Sequence, residues 1–82
     1  MDNKVKLSPT MIKVIMDMRE GWILRCQVNN PPFLYLCGEP DYVMVDTNDF
    51  NELIEKGLVK ADGSRSIIEY YRLTDLGKTI AI

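Results

Sequence analysis

The sequence predicts an α+β fold whose elements follow the order α-β-β-β-α-β-β-α. Three observations support this class: a capped helical pattern over residues 9–20, a shorter one over 47–56, and alternating apolar and polar residues between and after them. The 82 residues are enough for one small domain. We therefore assign 1–82 to a single domain in which 1–7 form a short polar lead.

The first helix has clear start and stop signals. Ser8 is a suitable N-cap, and Pro9 fits the first helical position because no amide donor is needed there. Gly21 ends the pattern. One apolar stripe, which we expect to face the core, contains Met11, Val14, Ile15 and Met18.

Three strands are predicted between the two helices. Residues 22–28 alternate in polarity, the Asn- and Pro-rich turn 29–32 follows, and 33–37 alternate again. A third, shorter strand is expected over 42–45. The prolines in this region exclude a long helix.

The two cysteines fall in the first pair of strands. We expect Val28 to face Phe33 across the turn. In the same register Cys26 faces Tyr35, and Cys37 lies diagonally from Cys26 on one face. Buried free thiols are the preferred interpretation, because reducing compartments disfavour disulfides.

The second half of the chain predicts a helix followed by a hairpin. Asp46 or Thr47 can cap the helix, and Gly57 can end it in the left-handed conformation. A short strand over 58–60 follows, and the turn formers Asp62-Gly63-Ser64 are expected at the hairpin tip. Residues 67–73 form the second strand, and Thr74 caps a last short helix.

This half of the chain resembles winged helix-turn-helix domains. The resemblance rests on Phe50-x-x-Leu53, Gly57-Leu58-Val59, Tyr71-Arg72-Leu73-Thr74 and Gly77-Lys78, which span a little under half of the chain. It implies a winged-helix-like fold in which 47–56 corresponds to the recognition helix and the antiparallel hairpin to the wing.

The middle of the chain departs from that family pattern. Strands and turns stand where the family has a second helix, so a β-hairpin takes the place of that helix. In this respect the chain is similar to small winged-helix-like proteins of phages and mobile elements.

The composition argues against an enzyme. The chain has no His to act as a base, no Gly-rich phosphate loop, and no Ser or Cys with an activating partner at a recognisable spacing. Two thiols without His do not make a metal site. We expect neither catalysis nor a cofactor.

The resemblance implies a DNA-binding regulator. The formal net charge is −2, so the basic excess of a typical nucleic-acid binder is lacking. Asp49, Glu52 and Glu55 on the second helix oppose phosphates, and we therefore expect weak, salt-sensitive binding to duplex DNA. The candidate contact residues are Asn48, Asn51, Lys56, Lys60, Arg65 and Arg72.

The alternative is a protein-interaction or assembly adaptor that uses the same scaffold without nucleic acid. An acidic helix suits a basic protein surface. Ile68 and Tyr70 lie on the second face of the hairpin, and a homodimer is one way to bury them. Phe33, Tyr42 and Trp22 could serve as further anchors where exposed, although we expect most of these aromatic residues in the core.

No apolar run reaches the length of a membrane span. The first nine residues, MDNKVKLSP, lack the apolar segment of a signal peptide. We therefore expect a cytoplasmic protein without a membrane partner.

Overall fold

The computed structural model of the chain describes residues 7–81, so most of the predicted polar lead lies outside the described residues. The order of elements is the predicted one, and the fold class is α+β. The elements are α1 (Pro9–Arg19), β1 (Ile23–Gln27), β2 (Phe33–Tyr35), β3 (Tyr42–Met44), α2 (Thr47–Glu55), β4 (Val59–Arg65), β5 (Ile68–Leu73) and α3 (Asp75–Thr79).

The strands form one antiparallel sheet in the order β3-β2-β1-β5-β4. The core lies between one face of this sheet and the helices. Sheet residues Leu24, Leu34, Val59 and Leu73 meet helical residues there, including the predicted α1 stripe, which is buried throughout. Because strand side chains alternate, their neighbours point away from the helices.

The Gly57-Leu58-Val59 and Leu73-Thr74 segments contact each other where the end of α2 meets the start of α3. Gly57 has φ +72°, and the Leu58 amide donates to the Leu53 carbonyl at 2.9 Å, which closes α2 with a Schellman-type contact. Thr74 then binds both Gly57 and Leu58. Its amide donates to the Leu58 carbonyl at 2.9 Å, and its hydroxyl donates to the Gly57 carbonyl at 2.5 Å. The end of α2 is thereby tied to the start of α3.

The predicted hairpin exists, but its predicted tip is wrong. Strand β4 continues through Asp62-Gly63-Ser64 to Arg65, with a register shift between Ala61 and Ser64. Gly63 takes φ +115°, and this segment accommodates one extra residue within the strand as a bulge instead of reversing the chain. The reversal occurs at Ser66 and Ile67, where Ser66 has φ +59°.

The predicted register of β1 and β2 is also wrong. The observed partners are Ile23 with Tyr35 and Arg25 with Phe33. The predicted pairing differs from this register by an odd number of residues, which moves the β2 aromatic rings to the opposite face of the sheet from Cys26. The loop is one residue longer than expected, because β1 ends at Gln27 and Val28 joins the loop.

The cysteines are therefore not diagonal neighbours on one face. Cys26 packs partly against the core, whereas Cys37 follows the end of β2 and is exposed. Both thiols are free, but the prediction that both are buried is wrong for Cys37.

No helix within residues 7–81 combines the length and the apolar character needed to cross a membrane.

Candidate functional site

The face of the sheet that points away from the helices carries the most distinctive set of side chains in the structure. We call it the open sheet face, and define it by the residues that alternate with the core positions of the five strands. Its aromatic members are Phe33, Tyr35, Tyr42 and Tyr70, and its cationic members are Arg25, Lys60, Arg65 and Arg72. None of these side chains belongs to the buried core cluster, which packs between the helices and the other face of the sheet.

Arg25 lies at the centre of the open sheet face. It pairs with Phe33 on β2 and with Tyr70 on β5. Its Cζ lies 5.2 Å from the Phe33 ring centroid, 5.6 Å from that of Tyr35 and 5.9 Å from that of Tyr70. These are cation–π distances, so three rings hold the guanidinium in place.

The charge of Arg25 has no protein counterion in the part of the chain that the structure describes. Its Nε is buried without a hydrogen-bond partner there, and none of the ion pairs among residues 7–81 includes this side chain. An arginine presents five donors in a fixed plane. The remaining donors of this partly exposed residue are therefore available to an external acceptor.

The β2–β3 end of the open sheet face is aromatic and apolar. Phe33 packs edge-on against Tyr42, with ring centroids 5.5 Å apart, and lies 6.1 Å from the Tyr35 ring. Tyr42 is 61% exposed and Met44 is 52% exposed, although both are large apolar or amphipathic side chains. Strand β3 is also an edge of the sheet.

The β4–β5 end is cationic. Lys60 pairs with Arg72 across the hairpin, and Arg65 pairs with Ile68 at its tip. Asp62 is the acidic neighbour, with its carboxylate 3.6 Å from Arg72 Nε, and both side chains are about half exposed. An open groove of about 630 Å³ runs along this end. It is lined by Ile23, Tyr35, Arg65, Tyr70 and Arg72 of the open sheet face, and also by Met18, Tyr71, Leu73 and Lys78 from the helix-facing side.

The structure divides the predicted nucleic-acid-binding residues between two layers. Lys60, Arg65 and Arg72 lie together on the open sheet face. Asn48 and Asn51 are exposed on α2, which packs on the other side of the sheet through Phe50 and Leu53. The remaining candidate is Lys56 at the end of α2, and its Nζ lies 3.8 Å from Glu52 Oε2.

The predicted protein-interaction residues Ile68 and Tyr70 also lie on the open sheet face, where both are partly buried. Tyr70 is occupied on one side by Arg25. The expectation that most of the aromatic anchors are in the core is wrong for Phe33, Tyr42 and Tyr70. Only Trp22 packs against the core from that set.

Two ionisable groups on the helix-facing side have perturbed acidity. Burial raises the pKa of the Cys26 thiol, and the nearby Glu69 charge raises it further. Burial likewise raises the pKa of Tyr71, with Glu69 adding a charge effect and a hydrogen bond at 3.4 Å. Neither group is activated as a nucleophile, because a raised pKa reduces the thiolate or phenolate population near neutral pH.

Within residues 7–81, no cluster of three or more Cys, Asp or Glu side chains is placed to hold a metal ion. A comparison with models of known protein families gives no match. The comparisons with curated proteins and with solved structures give no significant match either. The site must therefore be interpreted from its own chemistry.

Proposed function

We propose that this chain is a non-enzymatic nucleic-acid recognition domain of winged-helix type. The proposal is supported by the position of the β4–β5 hairpin directly after α2, and by the hydrogen bonds that join the hairpin, α2 and α3. These are the elements on which the resemblance to winged helices rests. A role as a transcription regulator is part of this proposal.

The single observation that carries the proposal is the concentration of cations on the open sheet face. Four cations lie on the open sheet face, where Asp62 is the acidic neighbour. Glu52 and Glu55 are exposed on α2, on the opposite side of the sheet. A chain that is acidic as a whole thus still presents a local cationic surface suited to phosphates.

The contact surface therefore differs from the one that the sequence suggests. We assign phosphate binding to Arg25, Arg65 and Arg72 on the open sheet face. Helix α2 is placed in a supporting role, because Glu52 and Glu55 would meet phosphate repulsion. Asn48 and Asn51 on α2 are accordingly not assigned to the interface.

Titration of labelled oligonucleotides, both duplex and single-stranded, tests the proposal. We expect binding of at least one form at low salt, and a loss of affinity of roughly 20- to 50-fold between about 50 and about 200 mM salt for three to four phosphate contacts on a single strand. Arg65→Gln and Arg72→Gln should each weaken binding. Asn48→Ala should leave it unchanged. Absence of binding to either form at low salt would refute the proposal.

A protein-binding adaptor is the second candidate, and it is favoured by the exposed acidic face of α2. Glu52 and Glu55 are exposed there, and Ile54 between them is 38% exposed. This surface suits a basic protein partner. The adaptor hypothesis predicts that Glu52→Gln with Glu55→Gln weakens binding to such a partner, whereas changes on the open sheet face do not.

A homodimer through the second face of the hairpin is a further form of the adaptor hypothesis. It requires Ile68 and Tyr70 to be buried between two copies. Sedimentation equilibrium over a range of protein concentrations tests it directly, since a strict monomer excludes this arrangement.

A further inference from the structure

We propose that the open sheet face binds single-stranded nucleic acid, with unpaired bases stacked on its aromatic rings and phosphates held by its arginines. This inference rests on the proposed nucleic-acid function and specifies its substrate class. It concerns Phe33, Tyr35, Tyr42 and Tyr70 together with Arg25.

The aromatic side chains distinguish a single strand from a duplex. Stacked bases in a duplex present only their edges in the grooves, so rings on a flat sheet cannot reach a base plane there. Unpaired bases expose their planes, and stacking on Phe or Tyr is tolerant of sequence. A duplex would use the cations of the open sheet face but would leave Phe33 and Tyr42 without a role.

The positions of the rings suit a nucleic-acid strand that runs across the β-strands of the sheet. Tyr70 lies on β5, Phe33 and Tyr35 on β2, and Tyr42 on β3, so the rings extend across neighbouring strands. The groove of about 630 Å³ beside Tyr70 leads from the cationic end. A second groove of about 330 Å³ is lined by Phe33 and Tyr42 at the other end.

Arg25 lies between Tyr35 and Tyr70, which line the first groove, and Phe33, which lines the second. It stacks among Phe33, Tyr35 and Tyr70 and lacks a counterion within residues 7–81. A guanidinium held near these rings can contact a phosphate through its remaining donors. Arg25 thus contributes a positive charge to the open sheet face and also lies against its aromatic rings.

The chemistry favours nucleic acid over a protein partner for this face. Aromatic and arginine residues are common in protein interfaces as well. However, Arg25, Lys60, Arg65 and Arg72 together suit a ligand with several negative charges, which a phosphate backbone supplies at regular spacing. A second copy of this chain that packed through the same face would instead bring the same cations into opposition.

The test is fluorescence anisotropy with a labelled oligothymidine of about 12 nucleotides, which is within the site sizes of known single-strand binders. A blunt duplex of the same length serves as the comparison. We expect tighter binding of the single strand. Tyr42→Thr and Phe33→Leu should each weaken that binding about 5-fold or more, the lower end of the ~1–3 kcal/mol that one stacked base contributes.

Controls separate stacking from folding and from charge. Met16→Ala removes a 49% exposed apolar side chain from α1 and should leave binding unchanged. Arg25→Lys keeps the charge but loses the planar donor set, so we expect reduced affinity with an unchanged salt dependence. Circular dichroism of each variant verifies that it is folded; a variant that is not folded is replaced by Tyr42→Ser, since Tyr42 is 61% exposed.

The outcomes distinguish this inference from the broader proposal. If neither nucleic acid binds at low salt, both fail. If the arginine variants weaken binding while folded Tyr42 and Phe33 variants do not, or if the duplex binds at least as tightly as the single strand, the single-strand inference is overturned and the broader proposal stands.

Discussion

Gly77 lies where α3 approaches the end of α2. A Cβ atom at this position would be 2.2 Å from the Leu58 carbonyl oxygen and 3.0 Å from Leu73 Cδ2. The Leu58 carbonyl is held in place because it accepts from the Thr74 amide. Only glycine fits this contact without a shift of the backbone.

Gly77→Ala should therefore destabilise the protein by about 1–3 kcal/mol, the usual cost of overpacking. Helix propensity alone predicts the opposite sign, a gain of about 1 kcal/mol. Urea unfolding distinguishes the two. Gly57→Ala is the matched control: its site is open but has φ +72°, so a cost of about 1–2 kcal/mol from the left-handed backbone is expected. A Gly77→Ala variant as stable as the wild type would contradict the packing described above.

The two thiols should differ in reactivity. Cys37 is exposed, whereas Cys26 is partly buried and has a pKa raised by burial and by Glu69. Since the thiolate is the reactive form, iodoacetamide should modify Cys37 first near neutral pH. Mass spectrometry of the digested protein measures the order, with Cys37→Ser as control. Faster modification of Cys26 would place it in a different environment from the one described.

At the scale of elements, the β4–β5 hairpin is where local sequence signals are misleading. Both Asp62-Gly63-Ser64 and Ser66-Ile67 carry residues with positive φ, but only the second reverses the chain. Arg65 pairs with Ile68, so the chain must reverse at the two residues between them, Ser66 and Ile67. Asp62-Gly63, which the sequence suggests as the turn, instead lies at the bulge within β4.

Ser66→Gly should stabilise the hairpin by about 0.5–1 kcal/mol, because it relieves a left-handed non-glycine residue at the turn. If Ser66 were a strand residue beyond a tip at Gly63, the same change would be destabilising. Thermal or urea unfolding gives the sign. Gly63→Ala is the companion change, with an expected cost of about 1–2 kcal/mol at φ +115°.

The helices were predictable from sequence because their signals are local. Ser8 and Asp46 cap α1 and α2, accepting from the amides of Met11 at 3.2 Å and Asn48 at 2.7 Å. Gly57 ends α2 as expected. Such contacts span only a few residues, and apolar periodicity is consistent with them.

The register of β1 against β2 could not be predicted in the same way. It depends on how many residues the loop before Phe33 takes from each strand, which the local sequence does not determine. The candidate site was missed in part for that reason. Arg65 and Arg72 were identified by charge, but the position of Arg25 among rings from two other strands requires the correct register.

At the scale of the whole molecule, the helices cover one side of the sheet and the second side remains open. The buried apolar residues lie between the sheet and the helices, and the cations of the open sheet face lie away from them. This arrangement allows a chain with net charge −2 to present a cationic surface. The hydrophobic core thus lies on one side of the sheet and the proposed binding surface on the other.

The stability of the whole domain should decrease at alkaline pH. The pKa values of Cys26 and Tyr71 are raised in the folded state above their ordinary values of 9.0 and 10.0. The folded state binds those protons more tightly, so the stabilisation is fully present below the ordinary values and is lost as pH rises through the folded-state pKa values. Urea unfolding from about pH 8 to about pH 11 measures this trend, and Tyr71→Phe should make it shallower. A free energy of unfolding that rises over this range would contradict the assignment.

A ¹⁵N–¹H NMR titration of the protein with single-stranded oligothymidine locates the binding surface directly. Under our proposal, nucleic acid binds on the open sheet face. We predict chemical-shift changes concentrated in β1, β2 and β5, around Arg25, Phe33 and Tyr70, with little change in α2. Shifts confined to α2 (Thr47–Glu55) would instead place the interface on the helical layer and contradict the account.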